Sequence, residues 1–433
     1  MARELPVRVV QDPSLGFTRL PGRVPPPDLV VSLDVYGDDR IRARMHGPAV
    51  RALSGTEHKT DLEKSAREVR KVTARLRQRW KGEFVDVQPL DTSGRPAPGR
   101  AAFPYASLVD LTDQPPDELL AAISELAGEG THLLFEELLG GDSKPVRQFR
   151  NFLDEALRVD EPLRVRFDSD LFVPWPMLCL PPDVTDEPGL VGLFRRFLGH
   201  RHLIEQTGGY YPVIADTREH APPAVPSVSV NHDVGVDPRG LTRAAEVAAV
   251  LARSGTLAER TTRLQLEQAL SDPNLDDQLM YFWCHGHFMT AHPEPPYLVV
   301  KLTDQRPIDA YTVRRHRPAP HDCAPFRPFV LLNACYAGLA GDVDLAYLGR
   351  ALIEAGAQGI LGPQIEMPQV FAAEYALEFL SRYLSGNDSA GTVAHAVARH
   401  FADELHNPLG FAYALHCGMD ARLERAESAE VSS

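Results

Sequence analysis

Apolar and polar residues alternate from Asp28 to Val35 and from Arg40 to Met45 around Gly37-Asp38-Asp39, which predicts a β-hairpin. A helix is predicted next, opening at a capping box made by Thr60 and Glu63. Leu62, Ala66, Val69, Leu76 and Trp80 recur at three-and-four spacing along one face, interrupted only by Thr73. The opposite face carries Lys64, Arg67, Arg70, Lys71, Arg75, Arg77 and Arg79. Such a face is ordinarily the solvated side of an amphipathic helix, and it is also the chain's best candidate for a partner contact. Asp91 to Gly99, rich in Pro, Gly and Ser, reads as a linker. Residues 1–100 are therefore expected to form a small α+β module.

From about Ala101 helices and short apolar strands alternate. Pro115 to Leu126 predicts a helix with proline near its start, closed by Gly128 to Gly130, and Thr131 to Phe135 reads as a strand. A helix over Val146 to Leu157 and an extended run from Leu163 to Val173 follow, ending in Val173-Pro174-Trp175-Pro176. After the proline-rich Ala221 to Pro226 the pattern is regular. Strands are predicted at Ser227 to Val230, Gln278 to Trp283, Tyr297 to Leu302, Phe329 to Leu332, Gln358 to Leu361 and Phe411 to His416. Helices are predicted over Leu241 to Ala252, Thr262 to Leu270, Asp344 to Ala355 with Gly356 as its stop, Pro368 to Leu384 and Ala390 to Leu405. Strands separated by helices of this length imply an α/β protein whose mainly parallel sheet is covered by helices on both faces. Sheets of this kind bind ligands beyond the carboxyl ends of their strands. The expected divisions are 1–100, 101–220, 221–420 and a flexible tail over 421–433.

Composition narrows the function classes. The 433 residues carry 45 Lys and Arg against 59 Asp and Glu, a formal charge of −14, which argues against nucleic acid as the main partner. With 44% hydrophobic and 24% charged residues the chain reads as globular. Met1 to Arg8 lacks the apolar stretch of a signal peptide, and no run of about 18 apolar residues occurs, so a cytoplasmic protein with no membrane span is expected. Five dispersed cysteines (Cys179, Cys284, Cys323, Cys335 and Cys417) without a CxxC pair point away from a disulfide framework or structural zinc. No GxGxxG follows a strand and no Walker lysine is evident, so no cofactor is expected.

Two strand ends hold the reactive residues: one strand runs into Cys284-His285-Gly286-His287, the other into Asn333-Ala334-Cys335-Tyr336-Ala337-Gly338. An imidazole brought beside a thiol compensates for the thiol's weak ionisation near neutrality. Gly286 permits close approach of a substrate backbone, and its amide, with that of Cys335, could face a developing oxyanion. His285 precedes Cys335 by 50 residues. A caspase pattern sets its histidine about 50 residues before the cysteine of a Gln-Ala-Cys turn. Alternation sets His285 and His287 on one side and Cys284 on the other. His-x-His without a second ligand cluster is a weak zinc signal, so His287 is read as lining the cleft, Cys284 as core, and no metal is expected.

At these stations the sequence resembles the CHAT-domain cysteine peptidases, relatives of caspases and separase. The resemblance rests on Val173-Pro174-Trp175-Pro176, Leu241 to Glu246, Phe282-Trp283-Cys284-His285-Gly286, Leu332 to Gly338 and Asn407 to Tyr413, and covers about Ala101 to Met419. It implies a caspase-like fold, with 101–220 as the pseudo-caspase-like part and 221–420 as the catalytic part. It further implies peptide-bond hydrolysis through a thioester, with Cys335 as nucleophile, His285 as proton donor and the amides of Gly286 and Cys335 as oxyanion hole. Asn333, two residues before the nucleophile, stands where this clan often shapes its first specificity pocket. Glu366, in Gln364-Ile365-Glu366-Met367, stands where separase-like relatives carry a Trp-Asp loop, though the tryptophan is missing here. Asp342 and Asp344 are further acids near the site, and Arg314 to Arg317 lie in the insertion between the two stations. A restricted protein substrate, an activating protein partner docking on the amino-terminal module, and a bacterial defence or signalling setting are what the resemblance implies. Pro176 where the family usually carries Glu, neutral Asn333 where basic-specific relatives can carry an acid, and the missing loop tryptophan sustain a contrasting reading, a catalytically silent scaffold of the same fold. Motif logic also leaves open a thiol hydrolase or transferase acting on a small molecule.

Overall fold

The computed structural model describes residues 26–50, 57–88, 93, 95, 97, 102–184, 186–208, 223–289, 297–317, 326–339 and 348–425. The chain begins with β1 (Leu29–Tyr36), β2 (Arg40–His46), β3 (His58–Asp61), α1 (Ala66–Phe84), α2 (Pro116–His132) and α3 (Lys144–Leu157). Next come β4 (Arg164–Ser169), α4 (Gly189–Phe194), α5 (Leu198–Arg201), β5 (Leu203–Thr207), β6 (Ser227–His232), α6 (Ala244–Ser254), β7 (Thr256–Arg260) and α7 (Arg263–Ser271). They are followed by β8 (Leu279–Trp283), β9 (His285–Met289), β10 (Tyr297–Lys301), β11 (Pro307–Ile308), α8 (Ala310–His316) and β12 (Phe329–Asn333). The last elements are α9 (Leu348–Glu354), β13 (Gly359–Pro363), α10 (Gln369–Tyr383), α11 (Ala390–Leu405) and β14 (Tyr413–His416).

Among the described residues eleven strands form one sheet in the order β3-β2-β1-β4-β5-β14-β13-β12-β8-β6-β7. Only β1 with β2, β2 with β3 and β13 with β14 pair antiparallel within it, so the sheet is mainly parallel as the alternation of strands and helices predicts. The central strands β8, β12 and β13 are buried along their whole length, which explains why they read as continuous apolar runs. Their side chains divide between two cores. Phe329 and Leu331 join α6, α10 and α11 on one face, while Val330 and Leu332 join α7, α8 and α9 on the other. The three strands of the amino-terminal hairpin region extend this same sheet, because β1 pairs in parallel with β4 from Leu29 opposite Val165 to Leu33 opposite Ser169.

Several expectations are corrected. Thr60 does not cap a helix: it sits in β3 opposite Ala43, and α1 is capped by Ser65 and Glu68. Glu63 instead accepts the backbone N–H of Ser143 at 2.9 Å, ahead of α3. The predicted strand over Thr131 to Phe135 is the end of α2 running into a π-helical turn at Leu133–Leu138. Gly128 and Gly130 lie inside that helix, since Gly130 provides the close approach to the buried turn at Trp175–Met177. A β-carbon there would stand 2.8 Å from the Met177 carbonyl oxygen. Alanine normally favours a helix interior over glycine by about 1 kcal/mol. Here the overlap wins, and Gly130→Ala is expected to lower stability by about 1–2 kcal/mol, read as a fall in the urea midpoint. Trp175, in the same turn, is buried and stacks on Phe167 of β4 with ring centroids 3.7 Å apart.

The basic residues Arg314 to Arg317 are the last turn of α8 and its cap, where Arg314 pairs with Glu354 at 2.8 Å. Most of Asp91 to Gly99, residues 1–25, Cys323, Asp342, Asp344 and the tail from 426 lie outside the described residues. Among the described residues no helix is long and apolar enough to cross a membrane.

Candidate active site

β8 and β12 lie side by side in parallel, with Trp283 opposite Asn333. The chain thus leaves both strands at the same level of the sheet, and His285 and Cys335 each follow two residues later. Gly286 seals the junction: a β-carbon on it would collide with the Cys335 carbonyl and lie 3.1 Å from the Cys335 nitrogen. Only glycine fits such an approach of two backbones.

The cysteine turn is held in a strained shape. Tyr336 adopts φ +62°, the left-handed region that an aromatic residue enters only under constraint. The constraint is the exit of β13: the N–H of Gly338 donates to Pro363 O at 2.8 Å and that of Tyr336 to Ile365 O at 3.2 Å. Burial pushes the Cys335 thiol above its ordinary pKa. The Met367 amide opposes this, the Glu366 charge reinforces it, and the amides of Cys335 and Gly286 again favour the thiolate. The sequence points to the last two amides as oxyanion donors. That of Met367 was missed, because only the tertiary fold brings the segment after β13 to the sulfur.

His285 and His287 lie on the same side of β9, with ring centroids 5.8 Å apart and planes tilted by 42°. His287 is held below its usual pKa, first by burial and then by Lys301 and His285. Cys284 faces the opposite way into the core with Met280, Phe282 and Val300, and burial pushes its thiol far up. Beside the cysteine turn, the Phe288 ring meets that of Tyr336 at 5.2 Å. Among the described residues no three His, Cys, Asp or Glu side chains gather as a metal site.

Asn333 is buried, and its amide is used internally: it donates to Ala372 O at 2.8 Å and accepts from the Tyr413 hydroxyl at 2.9 Å. It ties β12 to α10 and β14 from the interior rather than presenting an open pocket wall. Glu366 is about half exposed and pairs with Lys81 of α1 at 3.2 Å. Lys81 also holds Asp86 at 2.7 Å. The basic face of α1 and Lys64 just before it meet acidic residues of α2 and the turn after it: Arg75 pairs with Glu129 at 3.2 Å, Arg79 with Glu125 at 2.8 Å and Lys64 with Glu137 at 3.7 Å. Part of the charge available to a partner is therefore neutralised within the chain.

Residues 184–409 match the CHAT domain family. A probable protease of Vitiosangium sp. (strain GDMCC 1.1324) is 29% identical over 141 residues, which is 31% of this chain and 17% of that relative's length. Two crystal structures of the Saccharomyces cerevisiae separase–securin complex are also similar. The 3.0 Å structure matches with TM-score 0.42 and 9% identity, the 2.6 Å structure with TM-score 0.45 and 10% identity. Each match covers 90% of this chain and 30% of the other.

Proposed function

The chain belongs to the CHAT-domain family, a caspase-like protease family, and we propose that it is a cysteine endopeptidase working through Cys335 and His285. The observation that carries this reading is the apposition of the two strand ends, with Gly286 packed on the Cys335 backbone. In the proposed reaction His285 takes the Cys335 thiol proton, the resulting thiolate attacks the scissile carbonyl carbon, and the amides of Gly286 and Cys335 hold the oxyanion. His285 protonates the leaving amine as the C–N bond breaks, leaving a thioester. Water, losing a proton to His285, then attacks the thioester carbonyl and releases the new carboxylate and the thiol. His287 and Glu366 flank the attacking sulfur as pocket residues, with Asn333 supporting the turn from within. A restricted protein substrate, activation by a protein partner and a role in bacterial defence or signalling complete the reading.

A catalytically silent scaffold is the second reading. It is favoured by the burial and the Glu366 charge that disfavour the thiolate. A peptide probe bearing a thiol-reactive acyloxymethyl ketone separates the two. Labelling at Cys335 is expected to fall by about 10- to 100-fold in His285→Ala. Labelling that is absent, or equal with and without His285, supports the scaffold.

A further inference from the structure

The segment 363–367 has two sides. From one side hangs the cysteine turn, through Gly338 N–H to Pro363 O and Tyr336 N–H to Ile365 O, with the Met367 amide beside the sulfur. The other side is gripped by α1, distant in sequence. Lys81 Nζ stands 3.2 Å from Glu366 Oε2, and Arg77 donates to Gln364 Oε1 at 3.3 Å and to the Phe172 carbonyl. Asp86 holds Lys81 from its own side at 2.7 Å.

We infer that Lys81 is a positioning residue for the nucleophile: by pairing with Glu366 it screens that carboxylate from Cys335, so that α1 sets the reactivity of the thiol. The inference rests on the reading of Cys335 as nucleophile. Its electrostatic logic is simple. A negative charge beside a thiol disfavours the thiolate, and a cation holding that charge restores it. The ionisable groups that act on Cys335 are Glu366, Cys284, Tyr336 and Tyr413, those that act on Glu366 besides it are Lys81, His287 and Tyr336, and Lys81 is the cation paired to Glu366. A partner that draws α1 away from the segment would expose Glu366 and disarm the cysteine, while one that presses α1 onto it would keep the cysteine armed. The activating contact of the amino-terminal region would thus reach the site without touching a catalytic residue.

The test is the rate of Cys335 alkylation by iodoacetamide across pH, followed on the full chain by mass spectrometry of the modified peptide. At pH 7, Lys81→Met is expected to slow alkylation by about threefold and Glu366→Gln to speed it by about threefold. Lys81→Arg should restore the wild-type rate, and the double variant Lys81→Met with Glu366→Gln should return close to it. The differences should shrink at about 1 M salt. Opposite signs are what charge screening requires. A contact that merely anchors the loop would move both single variants in the same direction, and that result, or no shift in either, overturns the inference. Should Lys81→Met fold poorly, Glu366→Gln decides alone, since a slower thiol in it refutes the screening. Alkylation needs no turnover, so failure here is distinguishable from failure of the reading of Cys335 as nucleophile, which shows as cleavage surviving Cys335→Ala or as no cleavage by the wild type.

Discussion

Cys335→Ala is expected to abolish peptide-bond cleavage, lowering the single-turnover rate by about 10⁴-fold or more. In the proposed mechanism the sulfur bonds to substrate, and alanine leaves no group that can form the thioester. The backbone proposed to carry the oxyanion amides should be unchanged, because the atoms of residue 335 that stand nearest a β-carbon on Gly286 belong to its main chain. The loss should therefore come without a loss of fold, checked by circular dichroism on the same sample. Replacing His285 with Ala removes the proposed proton donor but keeps the proposed nucleophile, so the expected loss is smaller, about 10²- to 10⁴-fold. Its remaining activity should rise with pH, as the thiol that burial has pushed up ionises without help. Cys284→Ala is the matching control: this thiol faces the core, and its removal should leave the chemistry in place. Cleavage that persists in Cys335→Ala would remove this residue from the mechanism.

Chemistry and fold were legible in the sequence to different depths. The residues at the ends of β8 and β12 are local motifs attached to short apolar runs, and the runs are unbroken because both faces of those strands are buried. Edge and mixed positions hide their pattern. In β5 the buried Glu205 and Gln206 interrupt what would otherwise read as an apolar strand, and the burial is tolerated because Arg166 meets Glu205 at 2.6 Å. β7, at the sheet edge, exposes Thr256 and Glu259 and so reads as a connection between helices. The strand wrongly expected at Thr131 to Phe135 shows the opposite failure. Gly130, which looks like part of a helix stop, is placed for packing against Met177. The pairing of Lys81 with Glu366 had no local signal at all, since it joins the helix after the hairpin to a loop near the other end of the chain.

Asp277→Ala is expected to be the most destabilising single change at a distance from the cysteine. Asp277 precedes β8 and receives Arg260, the last residue of β7, at 2.8 Å, and both side chains are more than nine-tenths buried. Asn231 of β6 accepts from the same guanidinium at 3.5 Å, and Ser227 donates to the Asp277 carboxylate at 3.5 Å. The pair thus clamps three neighbouring parallel strands, β7, β6 and β8, at the end of the sheet. Forming it costs the desolvation of two charges, so its net worth over an apolar pair is small. Breaking it is another matter, because the alanine leaves the guanidinium buried without its counter-charge, a cost of about 3–5 kcal/mol. The measurement is the urea midpoint of Asp277→Ala beside that of Asp277→Leu combined with Arg260→Met. If burial of an unpaired charge is the cause, the double variant should recover most of the lost stability although it carries two changes instead of one. A double variant as unstable as the single one would assign the loss to the hydrogen bonds reaching Asn231 and Ser227. Because β8 leads directly into His285, the single variant should also reduce cleavage in proportion to the fraction unfolded, while the variant that regains stability should regain it.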